Sequence, residues 1–188
     1  SQYFMAKPYY NPAVAGATED LNILALARLE MIGVHGAPKS FFITADMPLA
    51  LGKTNHGVGL VVFTEAIGLF QNTHVGAQYA YKYKLFGGVL IGLVNQSFDG
   101  TKVIKVESEY HQETDAAIPV EQVSGMGLDM NFGIYYTHKR FYAGFGMTHI
   151  TQPELQLDEN AYTYIGRSLN LMGGYNIQLK NPLIELQP

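Results

Sequence analysis

The sequence predicts an all-β protein, an antiparallel transmembrane β-barrel, on three observations. Apolar and polar residues alternate with a period of two over long stretches, which places one set on each face of a sheet and suits no helix. The stretches reach roughly ten residues, against about 5–6 for an ordinary globular strand and about 9–11 for a tilted strand that crosses a bilayer. Charge is sparse: charged residues make up 15% of the chain, where a solvated surface carries about 25–35%.

The clearest strands are two in succession. Met126, Leu128, Met130, Phe132, Ile134 and Tyr136 alternate with Gly127, Asp129, Asn131 and Gly133; after Thr137–Arg140, Phe141, Ala143, Phe145 and Met147 alternate with Tyr142, Gly144, Gly146 and Thr148. The same period predicts a first strand over Leu21–Met31, a second over Ser40–Leu49 and a Gly-rich third over Gly57–Ala66. A fourth carries Val75, Ala77, Tyr79, Tyr81, Tyr83 and Leu85 on one face, and a fifth runs over Gly88–Phe98. The two clear strands are the sixth and seventh. An eighth is predicted over Tyr162–Leu179, and a ninth begins at Leu183 and is cut off at Pro188. About nine visible strands imply part of a larger barrel, because single-chain bacterial barrels have even numbers of strands. Residues 1–20 then form an N-terminal periplasmic segment, and residues 21–188 the barrel strands.

The connections support this reading. Predicted turns at Ile32–Lys39, Ala50–His56, Ile67–Asn72, Phe86–Gly87, Asp99–Gly125, Thr137–Arg140, Thr151–Ala161 and Lys180–Pro182 alternate between longer and shorter from the third onward. A barrel with short periplasmic turns and long outer loops produces that asymmetry. The acidic Asp99–Gly125 connection is expected to be the least ordered part of the chain. A β-sandwich has shorter strands and no side preference in its loops, and a lipocalin-like barrel puts its polar residues outside.

Composition excludes several functions. There is no cysteine, so there is neither a disulfide framework nor a thiolate metal site. Net charge is −4 with scattered positive residues, which argues against nucleic acid as a partner. The six histidines are spread along the chain, and His111-Gln112-Glu113 has no second pair to complete a metal site. Gly57-Val58-Gly59 lacks the strand-to-helix context of a phosphate loop. A hydrolase using Ser168 with His74 or His149 has nothing in the sequence to single it out. The expectation is therefore no enzyme, no cofactor and no metal. Arg28, Glu30, Asp46, Lys82, Lys84 and Asp129 share the polar face and are the lumen-facing candidates. They are read as ion pairs filling a plugged interior, with a selectivity lining as the functional alternative. The first residue is Ser1 rather than Met, which suggests a removed signal peptide.

In order along the chain, several segments resemble the PorP/SprF family of outer-membrane proteins of the Bacteroidetes type IX secretion system. Ser1-Gln2-Tyr3-Phe4 and Tyr10-Asn11-Pro12-Ala13-Val14-Ala15-Gly16 look like the family's N-terminal signature, with Val14 in place of an aromatic. Arg28 matches the family's first strand, although Glu30-Met31 replaces Gln-Trp. Gly36-Ala37-Pro38, Asp46-Met47-Pro48-Leu49, Gly57-Val58-Gly59-Leu60 and Ile67-Gly68 follow. The most specific match is Asn131-Phe132-Gly133-Ile134-Tyr135-Tyr136 with Phe141-Tyr142-Ala143-Gly144 and His149. The resemblance implies a non-enzymatic barrel of the outer membrane that supports export or surface attachment of cargo proteins, and gliding motility in some species. Its implied partners are outer-membrane lipid, other secretion components and the secreted cargo. An N-terminal motif of Asn11, Pro12 and Gly16 is expected to form a tight turn, placing Tyr9 and Tyr10 at the periplasmic mouth. A porin-like channel or solute transporter, motivated by Arg28, Lys82 and Lys84, is the alternative.

Overall fold

Eight of the strands form one antiparallel sheet, in the order β1-β2-β3-β4-β5-β6-β7-β10. It is curled into a half-barrel that is not closed. The computed structural model describes residues 6–52, 54–102, 121–158, 161–175, 177–178 and 185–186. The strands of the sheet are β1 (Asn22–Leu29), β2 (Lys39–Leu51), β3 (Thr54–Ile67), β4 (Phe70–Lys82), β5 (Phe86–Asp99), β6 (Gln122–Thr137), β7 (Phe141–Thr148) and β10 (Ser168–Tyr175). Ahead of β1 lie a one-turn helix, α1 (Lys7–Tyr10), and a 3-10 turn (Pro12–Val14). A separate hairpin of β8 (Glu154–Asp158) and β9 (Ala161–Tyr164) interrupts the path from β7 to β10.

All seven of the first predicted strands are present, several of them longer than the alternation indicated, but β1 is shorter, β4 stops at Lys82 short of Tyr83 and Leu85, and the predicted turn Phe86–Gly87 belongs to β5. The predicted turns at Ala50–His56 and Ile67–Asn72 shrink to residues 52–53 and 68–69, where Gly52 and Gly68 take positive φ. Asn55, His56, Gln71 and Asn72 look like turn residues yet belong to the ladder, paired with Lys82, Tyr81, Ala66 and Glu65. A ladder pairs backbones, so polar side chains near a strand end do not stop it. The predicted eighth strand is three elements: Tyr162–Tyr164 belongs to the β8–β9 hairpin, Ser168–Tyr175 joins the sheet beside β7, and Ile177–Gln178 is a separate short strand. Much of the predicted ninth lies outside the described residues, although β11 (Ile177–Gln178) and β12 (Glu185–Leu186) pair with each other. The centre of the Asp99–Gly125 connection, residues 103–120, also lies outside them.

Connections sort by end. Residues 52–53, 83–85 and 138–140 link strands at one rim; residues 30–38, 68–69, 100–121 and 149–167 link them at the other. Three of the four at the second rim are long, as a barrel's outer loops are.

The register aligns apolar residues into belts on the convex face. One row runs Ala25, Ile43, Val62, Val75, Leu93, Leu128, and the next Ile23, Ala45, Leu60, Ala77, Ile91, Met130. Ile43, Leu60, Val75, Ile91, Leu93 and Leu128 are all exposed there, a continuous apolar surface of the kind a membrane barrel turns toward hydrocarbon. Toward the short-turn rim the belt becomes aromatic, with Tyr79, Tyr81, Tyr136, Phe141 and Tyr175 exposed. His56 sits among them, Nδ1 2.7 Å from the Tyr79 hydroxyl and Nε2 2.7 Å from Thr54 Oγ1. Such rings settle at a headgroup level, where one end is apolar and the other wet. No helix among the described residues is long and apolar enough to cross a membrane.

The belt gives a direct test. Ile91→Arg should cost about 2–4 kcal/mol of folding free energy in lipid vesicles, measured by urea titration, because it faces the middle of the bilayer. Ser97→Arg, on the same strand and face near the long-connection rim, should cost about 0–1 kcal/mol. Equal costs would mean that the convex face does not contact hydrocarbon.

Candidate functional site

The concave face is the only part of the sheet that a strand-by-strand alternation leaves rich in glycine and polar residues. One row across it is almost bare: Gly57, Ala80, Gly88, Gly133 and Gly146 are paired in succession from β3 to β7. The N-terminal segment lies along this row. A methyl group on Gly57 would overlap the Ala15 carbonyl, one on Gly88 the backbone of Pro12 and Ala13, and one on Gly133 the Asn11 carboxamide. On Gly146 it would overlap the Tyr10 carbonyl. Glycine is required here for close approach of one backbone to another.

Local sequence shapes the segment before it is seated. Pro8 opens α1, and Asn11 caps the following 3-10 turn, its Oδ1 accepting from Ala13 N at 3.0 Å. Asn11 Nδ2 then donates to the Ile134 carbonyl at 3.0 Å. Gly16, at φ +61°, donates its N–H to Asp46 Oδ2 at 2.7 Å, and Gln78 Nε2 donates to the Pro8 carbonyl at 2.9 Å. Asn11, Ala13 and Ala15 have no exposed surface. The segment is thus tied to β2, β4 and β6, the kind of accounting buried backbone demands.

Above this seat Tyr9 packs edge-on against Tyr10 and Phe42, at ring separations of 5.0 and 5.4 Å, and lies 6.3 Å from His74. The Lys7 ammonium sits 4.2 Å over the Tyr142 ring. Burial, and then the neighbouring Tyr10, push the Tyr9 phenol up to about 12 from 10.0. Beside α1 an open hollow of about 760 Å³ remains, lined by Tyr9, Phe42 and Phe63 with Arg28, Glu65 and His149 at its polar margins.

Deeper on the same face three side chains converge from separate elements. His149 Nδ1 lies 2.9 Å from Asp129 Oδ2, and His74 Nε2 lies 3.2 Å from the same oxygen. A carboxylate only accepts, so the Asp129–His149 bond puts the proton on Nδ1. Asn131 Oδ1 accepts from the His149 backbone N–H at 2.9 Å, holding it at φ +56°. Asp129 is wholly buried and His74 is 3% exposed. Geometry reduces the His74 contact to an ion-pair distance without a hydrogen bond, because neither His74 nitrogen has a bonded partner. No group of three or more His, Cys, Asp or Glu residues among the described residues is placed to hold a metal.

The lumen candidates are therefore distributed over separate places. Asp46 anchors Gly16, and Asp129 holds the two imidazoles. Arg28 pairs with Glu30 at 2.5 Å near the long-connection end of β1, well exposed, where such a pair contributes little. Lys82 and Lys84 line a second hollow of about 390 Å³ at the short-turn rim with Tyr81 and Tyr83. Asn11, Pro12 and Gly16 all lie in the seated segment. His74, His149, Asn131 and Gln78 carry the geometry without having been singled out as a group. Only the strand register, which puts His74 and Asp129 on one face, signals the first pair; the others depend on how distant elements meet. Ser168 lines the large hollow with His149 but makes no hydrogen bond to it, so the Asp–His pair lacks an attached nucleophile.

Because the chain has no cysteine, a single introduced thiol reports on the seat. Val14→Cys is buried and should react slowly with a maleimide. Adding Gly57→Ala, whose methyl meets the Ala15 backbone, should cost about 1–3 kcal/mol in overpacking and speed the reaction several-fold or more. Asp46→Ala, which strands the Gly16 N–H, should act similarly, by about 1.5–3 kcal/mol. Unchanged labelling in both variants would show that the row does not hold the segment. The raised Tyr9 value predicts a second behaviour. A phenol whose pKa rises on folding stabilises the protonated, seated form, fully below pH 10.0 and progressively less as pH climbs to about 12. A spin label on Ala17→Cys should gain mobility across that window, and Tyr9→Phe should abolish the change.

Comparison with known proteins agrees with this architecture. No curated protein and no solved structure matches the chain. One family model, described as type IX secretion system membrane protein PorP/SprF, matches residues 1–188. Asn11, which meets β6 at Gly133 and at the Ile134 carbonyl, and the Asn131–Tyr136 stretch of β6 both lie in segments in which the sequence resembles that family. The chain is a member of the PorP/SprF family of type IX secretion system membrane proteins.

Proposed function

We propose that this chain is a barrel wall of the outer membrane that supports export or surface attachment of cargo proteins, working as a plugged docking component and not as an open pore. The observation that carries this reading is the occupied concave face. The Ala6–Gly16 segment fills it from the short-turn rim, and the β8–β9 hairpin covers Gly125 and Gly127 toward the other. A wall filled from both ends suits binding at its rims better than conduction through its middle. The apolar belt takes outer-membrane lipid as its partner, and the rims are left to other secretion components and to cargo. Removing the gene should abolish surface display of specific cargo while small-solute uptake continues; normal display in the deletion strain would refute the reading.

The hollow lined by Arg28, Glu65 and His149 favours a solute-transporting alternative. Planar-bilayer conductance separates the two. The docking reading expects no conductance from the protein and no change with Lys82→Glu, whereas a channel would change its ion preference.

The orientation follows the connections. Long ones face outward in barrels, so the connection from β5 to β6, residues 100–121, is assigned to the cell surface and residues 138–140, with the N-terminal segment, to the periplasm. Protease added to intact cells should cut at Lys102 or Lys105 and spare Lys139 and Arg140. The reverse pattern would invert the topology.

A further inference from the structure

We propose that the β8–β9 hairpin is a hinged flap folded into the half-barrel, and that the His149 imidazole on Asp129 is the clasp that keeps it there. The hairpin is not part of the wall: β8 pairs only with β9, and the wall continues directly from β7 to β10. It is seated by a small contact. Leu155, with no exposed surface, and Pro153 press on Gly127, and the Gln156 carbonyl lies against Gly125. Any side chain at either glycine would collide with the hairpin.

What turns the chain inward is the junction at the end of β7. Pairing between β6 and β7 runs from Thr137↔Tyr142 to Phe132↔Met147. Immediately afterwards His149 takes φ +56°, a left-handed conformation that is uncommon for a residue with a side chain. Three bonds fix it to β6: its N–H to Asn131 Oδ1, its Nδ1 to Asp129 Oδ2, and the next residue's N–H to the Met130 carbonyl at 2.8 Å. Thr151 Oγ1 adds a fourth, to the Leu128 carbonyl at 2.9 Å. Among the described residues the hairpin's second leg is tied back to the first at its base, Ile165 N to the Pro153 carbonyl and the Arg167 guanidinium to the Ile150 carbonyl and Gln152. Hinge and seat therefore both hang on β6, and the charged bond in the set is the one to Asp129. With His149 gone, the buried carboxylate keeps only the misaligned His74 contact, an arrangement that weakens the folded-in state.

The test uses the full chain in detergent or lipid. Leu155→Cys should react slowly with a maleimide, and adding Asp129→Asn or His149→Gly should accelerate it roughly tenfold or more, as loss of a buried charge-assisted bond implies. Glycine tolerates φ +56°, so its effect reports the imidazole and not the backbone. The Val14→Cys reporter, seated at the other end of the same face, should stay slow. A second readout needs no thiol: trypsin should cut at Arg167 faster in the His149→Gly chain while cleavage at Lys82, on the short-turn rim, is unchanged. Unaltered reactivity at position 155 together with unaltered cleavage at Arg167 overturns the clasp. Equal acceleration at positions 14 and 155 overturns the flap, since the whole face would then have loosened.

Discussion

A polypeptide can lie flat against a sheet only where the sheet presents no side chains, and the interior of this half-barrel depends on that constraint. Backbones in contact lose the water that would hydrogen-bond them, so each buried N–H and carbonyl needs a named partner. The Gly57–Gly146 row supplies the room, and Asp46, Gln78 and Asn11 supply the partners. Without the row, those three polar groups would face each other across a gap. Without them, the row would be a trench lined with apolar convex-side strands on its far face and nothing to fill it.

The two buried carboxylates solve the same problem in different ways. Asp46 faces a backbone N–H with Asn22 beside it, and its role is to hold a turn. Asp129 faces imidazoles that arrive from β4 and from the end of β7, so it joins elements far apart in the chain. Isolated buried charge is expensive in a barrel interior as in any low-dielectric site. Placing each carboxylate where a moving or terminal segment docks turns that cost into positional information.

Filling from both ends also explains why the polar face reads so weakly as a pore. A conducting lumen carries a ring of one sign or a run of aligned groups. Here Arg28 and Glu30 neutralise each other, Asp129 is matched by histidine, and Lys82 and Lys84 stand apart at the short-turn rim. The same half-barrel therefore has a concave face occupied by the N-terminal segment and by the β8–β9 hairpin.

How much of this was legible beforehand depends on the range of the interaction. Period-two alternation is a local property, so Met126–Tyr136 and Val75–Tyr81 reveal strands, their two faces and the apolar belt without reference to any neighbour. The sorting of long and short connections was visible too, though Asn55, His56, Gln71 and Asn72 were misread as turn residues, because side-chain polarity does not report backbone pairing. Tyr162–Tyr164 was merged with the strand after it for the opposite reason: both halves alternate, and only Ile165-Gly166-Arg167 and the partner strands separate them. The sequence by itself thus determined the fold class, the family resemblance and the apolar face of each strand. Where that segment sits, which glycines make its bed, and that His74, Asp129 and His149 meet were decided only in the tertiary structure. Those contacts join residues far apart in the chain, Asn11 and Ile134 being separated by 123 positions, and no local pattern encodes a distance of that kind.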